Sequence, residues 1–151
     1  MLNKYIIKIK IIHFFCLFSF AVSEISSSNE ANYNLFITSL HQFNQNFGLS
    51  KKEIDIMNIK KNNDQIIITM GCSRNNYKST IATCSYFIGK ILKEIDLFSF
   101  NSIVIELKIE SFDNSKFVTD IELKTFIDII EERVSMSKFV NNIKLIEYKE
   151  K

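Results

Sequence analysis

The sequence predicts an α+β domain in the order α-β-β-α-β-α-β, with an antiparallel or mixed sheet of about four strands and helices packed on one face. Three observations carry that expectation. Apolar residues recur at helical spacing in three segments, led by Phe36-Leu40-Phe43-Phe47, Tyr77-Ile81-Cys84-Ile88 and Leu123-Phe126-Ile127-Ile130. Ile103, Ile105, Leu107 and Ile109 alternate with Val104, Glu106, Lys108 and Glu110, giving one dry face and one mostly wet one. Proline is absent and glycine appears only three times, so isoleucine-rich runs separated by asparagine-rich turns carry the strand signal.

The chain opens on a segment that reads as targeting. Lys4, Lys8 and Lys10 precede an apolar run from Ile11 to Val22, and Ala21 and Ser23 supply small residues before Glu24. This is the layout of a signal peptide. The run is shorter than the roughly 20 apolar residues that span a bilayer, so residues 1–23 are expected to be a cleaved leader, with an uncleaved anchor as the alternative. Cys16 lies inside the run, behind two phenylalanines, which disfavours a lipoprotein. Residues 24–32 are small and polar and read as a flexible lead-in, leaving 33–149 as a single α+β domain.

Removing the leader changes the charge balance. The whole chain has 19 basic and 17 acidic residues, and the leader takes three lysines with it, so the remainder is close to neutral. The short pairs Lys51-Lys52 and Lys60-Lys61 sit beside acids. No nucleic-acid partner is expected, and membrane contact is expected only through residues 1–23 if they are retained.

Each element then has its own local reasons. The first helix runs from about Tyr33 to Phe47, with Asn32 as its N-cap and Gly48 as its stop. A hairpin follows, with Ile54, Ile56 and Ile59 on one strand and Gln65 to Met70 on the next, joined by Lys60-Lys61-Asn62-Asn63-Asp64. Its alternation changes frame at Met57-Asn58, which suggests a bulge or a late start of regular pairing. The second helix, Asn76 to Leu97, has the longest apolar stripe and should anchor the core. The strand Ser102–Glu110 comes next, broken by Ser111 to Ser115. Thr119 and Glu122 have capping-box spacing and predict a third helix ending near Arg133 or Met136. Asn142 to Tyr148 reads as the last strand. A long second helix fits a crossover between the hairpin and the third strand.

Chemistry is sparsely written. The segment Met70 to Ser79 lies where a strand hands over to a helix, and helix N-termini attract anions. Gly71, Ser73, Arg74 and Lys78 are therefore the candidate ligand- or anion-binding residues, although the frame of a phosphate loop is absent. Cys72 and Cys84 could form a disulfide after export, or remain two free thiols, since Cys84 falls in the apolar stripe. A Cys72 nucleophile would need His41 as its base. No cofactor or metal is called for: one histidine and two cysteines in 24–151 do not make a four-ligand spacing. Asp128 and Glu132, one turn apart, read as an ordinary charged helix face beside Lys124 and Arg133. Nor is there a hydrolase motif. A non-enzyme is favoured over a small secreted enzyme. The expectation is an exported protein–protein interaction domain, secreted or periplasmic in a bacterium, such as an envelope or secretion-system accessory or a secreted factor. A small-ligand or anion-binding domain using 71–79 is the alternative.

Overall fold

A computed structural model describes residues 29–45, 55–97, 99–109 and 115–149. Among these, helix α1 covers residues 29–45. It is followed by β1 (Asp55–Asn62), β2 (Gln65–Cys72), α2 (Tyr77–Leu92), β3 (Ser102–Ile109), β4 (Ser115–Glu122), α3 (Leu123–Ile130), α4 (Met136–Asn142) and β5 (Ile146–Lys149). The fold is α+β, and the five strands lie in chain order in one open mixed sheet. Only the β2–β3 pair is parallel; β1–β2, β3–β4 and β4–β5 are antiparallel. The β1–β2 hairpin and the β3–β4 hairpin, extended by β5, are thus joined side by side through α2, which provides the crossover that parallel neighbours require.

Alternation decides which face is covered. Ile66, Ile68, Met70 and Cys72 of β2 stand opposite Ile103, Ile105, Leu107 and Ile109 of β3, residue for residue. All eight are buried and belong to one core with Phe36, Leu40 and Phe43 of α1, Ile81, Cys84 and Ile88 of α2, and Phe126 and Ile129 of α3. Each fully buried aliphatic or aromatic side chain in that layer contributes roughly 1.5–3 kcal/mol gross. The layer is tight at Gly89. A Cβ built there would lie 2.5 Å from the Phe126 carbonyl oxygen and 2.5 Å from Ile130 Cγ1, so a side chain is excluded by the backbone of α3.

The hairpin behaves as its sequence suggests. Asn62 pairs with Gln65 across Asn63-Asp64, and the register shifts between Ile56 and Asn58, which places a bulge at Met57. Asn63 adopts φ 53°, a left-handed conformation that asparagine tolerates better than most residues. Asn101 fastens this turn to the neighbouring strand. Its N–H donates to the Asp64 carbonyl at 2.7 Å, its Nδ2 donates to Asp64 Oδ2 at 2.5 Å, and its carbonyl accepts from Leu123 N–H at 3.2 Å.

Several boundaries differ from expectation. Residues 29–32 are helical rather than part of a lead-in; Asn32 is inside α1, and its Nδ2 donates to the Asp96 carbonyl at 2.8 Å. Helix α2 stops at Leu92 instead of Leu97, and the chain turns so that Ile95, Leu97 and Phe100 are buried by other contacts. The largest correction concerns residues 115–122. Thr119 is a mid-strand residue opposite Ile105, not a helix cap, and α3 starts at Leu123 without a side-chain cap. Ser115, Thr119 and Ile121 are buried on the helix side, so the strand satisfies the backbone and the core together. The third helix also splits. Glu132 has φ 59°, which ends α3, and Ser135 Oγ accepts from Lys138 N–H at 3.3 Å to start α4. Strand β5 is accordingly short, and Ile143, expected inside it, is the C-cap of α4. The expected leader 1–23, the Gly48 stop and the Ser111–Asn114 part of the break lie outside the described residues. Among the described residues no helix is long and apolar enough to cross a membrane.

Candidate functional site

Opposite the helix layer, the sheet presents a face on which no described helix packs. Strand registers fix what lies on it. One row across the five strands is Asn58, Thr69, Glu106, Val118 and Ile146; the next holds Gly71, Lys108, Lys116 and Tyr148. A third row is Lys60, Ile67, Val104 and Asp120. Met57 joins this face at the bulge, where its sulfur would be 3.7 Å from a Cβ at Gly71.

The centre of the face is dense and the rim is open. Ile67 and Thr69 are buried although no described helix covers them. Glu106 is held between strands: Thr69 Oγ1 donates to its Oε2 at 3.1 Å, and Lys116 Nζ lies 2.7 Å from its Oε1. Partial burial by itself would raise the Glu106 pKa. The hydrogen bonds from Lys116 and Thr69 and the charges of Lys116 and Lys60 outweigh that burial, so the carboxyl titrates below its ordinary range. A second polar bridge runs from Gln65 Nε2 to Ser102 Oγ at 3.2 Å and to Asp120 Oδ2 at 2.8 Å. At the rim, Met57, Ile146 and Tyr148 are 55%, 57% and 52% exposed.

The residues singled out from sequence are placed differently from one another. Gly71 belongs to β2 and to the uncovered face. Ser73 and Arg74 are exposed in the connection that follows, and Lys78 is exposed in the first turn of α2. Asn76 N–H donates to the Ser73 carbonyl at 3.1 Å, and Ser79 Oγ donates to the Asn76 carbonyl at 2.8 Å. The N-cap, Asn76, makes no side-chain cap bond. Cys72 and Cys84 are both buried and are not bonded to each other, and complete desolvation pushes the Cys84 thiol up to about 12. A thiol so placed stays protonated and is a poor nucleophile. His41 is exposed on α1 whereas Cys72 is buried. Asp128 is engaged by Arg133 at 2.6 Å, and among the described residues no three His, Cys, Asp or Glu side chains cluster to hold a metal.

A cleft of about 530 Å³ lies between β4 and α4, with Thr119, Asp120, Thr125, Lys138, Phe139 and Lys144 among its lining residues. It offers carboxylates and ammonium groups but neither histidine nor thiol. Sequence reasoning did not find the residues that matter most on the uncovered face. Glu106 was correctly assigned to the wetter side of its strand, but its partner Lys116 belongs to the strand that was not anticipated. Comparison with known proteins adds nothing to this geometry: no protein-family model, no curated protein and no solved structure matches the chain.

Proposed function

We propose that this chain is an exported, non-catalytic domain that acts by binding a protein partner on the uncovered face of its sheet. One observation carries the reading. Met57, Ile146 and Tyr148 are large apolar side chains, each more than half exposed, set around a cross-strand polar centre at Thr69, Glu106 and Lys116. An apolar rim over a satisfied polar centre gives a partner both area to bury and fixed hydrogen-bonding groups for orientation. An exported accessory of an envelope or secretion assembly, or a secreted factor, would use such a face without any catalytic group.

The test is crosslinking and co-purification from the native host, comparing the parent with the Met57→Asp, Ile146→Asp double variant. A specific protein recovered by the parent and lost by the variant, at unchanged melting temperature, is the expected result. Equal recovery by both would remove the face from the argument. Export is tested separately by sequencing the N-terminus of the accumulated protein. Cleavage after Ser23 is expected, and an intact Met1 on protein in the cytoplasmic fraction would end that part of the reading.

Anion binding at 71–79 is a second reading, supported by the absence of a side-chain cap at Asn76 beside the exposed Arg74 and Lys78. Phosphate should then raise the melting temperature of the parent but not of Arg74→Ala; no phosphate effect on either would discard it.

A further inference from the structure

Among the described residues strand β5 is an edge: it pairs with β4 alone, and all four of its residues are exposed. Side chains alternate along it: Ile146 and Tyr148 share the uncovered face with Val118 and Lys116, while Glu147 and Lys149 point to the other side, opposite Phe117 and Ser115. Neither Glu147 nor Lys149 has an ion-pair partner among the described residues. The other edge, β1, carries a bulge at Met57 and the adjacent lysines Lys60 and Lys61, devices that discourage edge-to-edge pairing. The β5 edge is unbulged, and its two charges have opposite sign.

We propose that the chain self-associates as a two-fold dimer by antiparallel pairing of β5 with β5 of a second copy, Tyr148 opposite Tyr148 and Glu147 opposite Lys149. The register follows from symmetry and charge. A two-fold axis perpendicular to the sheet keeps like faces on the same side, so one residue must lie opposite its own copy. Two such registers pair three residues of this strand. Centring on Glu147 sets two carboxylates against each other, which is destabilising. Centring on Tyr148 makes two Glu–Lys cross-strand pairs on one side and a tyrosine pair on the other. The sequence Glu-Tyr-Lys is self-complementary in that register alone.

The contact is short, so the association is weak and governed by concentration. Its consequence is a ten-stranded sheet whose two uncovered faces are continuous, doubling the surface offered to a third molecule. Sedimentation equilibrium of the purified full chain from about 10 μM to 1 mM should show a monomer–dimer transition. Glu147→Lys should raise the dimer dissociation constant about tenfold, since it places lysine against lysine twice. Lys149→Glu should do the same, and the double exchange Glu147→Lys, Lys149→Glu should restore association. Tyr148→Cys should yield an intermolecular disulfide on mild oxidation, because directly opposed Cα atoms lie about 4.5–5.5 Å apart. Ile146→Cys should not, because its copy lies about four residues away along the strand, roughly 13 Å. A monomer throughout the range, an unaffected Glu147→Lys, failure of the double exchange to rescue, or equal crosslinking at 146 and 148 would each overturn the proposal. Failure of the parent to recover any heterologous partner, with the dimer retained, would count against the function proposed above and leave this pairing intact.

Discussion

Three single residues show how local chemistry sets stability here. Glu106 has its pKa lowered in the folded chain, so its contribution is present above the unfolded carboxyl range. It is lost as pH falls through the folded value, because protonation removes the negative charge that Lys116 pairs with and that strengthens the bond from Thr69. Glu106→Gln should therefore melt below the parent at neutral pH, with the gap closing in acid; a gap that widens toward low pH would contradict the assignment. Gly89→Ala should cost about 1–3 kcal/mol, since its Cβ meets the backbone of α3 at Phe126 as well as the Ile130 side chain. Urea denaturation measures this. Glu132 works in the opposite direction. Its φ of 59° is carried by a residue with a Cβ, so Glu132→Gly should raise stability by about 0.5–1 kcal/mol, read as an upward shift in the same denaturation midpoint.

At the scale of elements, legibility tracked how many constraints each segment wrote twice. Strand β3 was plain because Ile103, Ile105, Leu107 and Ile109 alternate without interruption, and all four are buried. The frame shift at Met57 was legible, but alternation alone fits a bulge and a late start of pairing equally, and the strand register decides for the bulge. Strand β4 was not. Its inward positions are Ser115, Phe117, Thr119 and Ile121, two of them hydroxylic, so the dry face does not read as dry. Thr119 also stands three residues before Glu122, mimicking a cap. The candidate face inherited that gap, because Lys116 can only be set beside Glu106 once β4 is known to pair with β3. Substitution separates the two roles of Thr119. In a strand, Thr119→Val should leave stability unchanged or raise it, whereas loss of a true N-cap would cost about 1 kcal/mol. The cap that does exist is Ser135, and Ser135→Ala should lower stability by about that amount, with amide exchange accelerating first in α4.

Over the whole molecule, the parallel β2–β3 pair divides the sheet into a two-stranded hairpin and a β3–β4 hairpin extended by β5, joined across residues 73–101. Asn101 sits at the end of that connection and holds the first hairpin's turn, the start of β3 and the start of α3 together. Its side chain acts as a donor toward a carboxylate, and that makes the junction vulnerable to chemical ageing. Hydrolysis of the Asn101 amide would replace an N–H facing Asp64 with a second negative oxygen at the same short range, turning a fastening into a repulsion. Protein that has lost this one amide group should therefore loosen first where the two hairpins meet. Asn101→Asp reproduces the damage directly: it should lower the melting temperature at neutral pH and recover part of the loss in acid, where the introduced carboxyl takes up a proton. A pH-independent loss would show that bulk geometry, not charge, secures the junction.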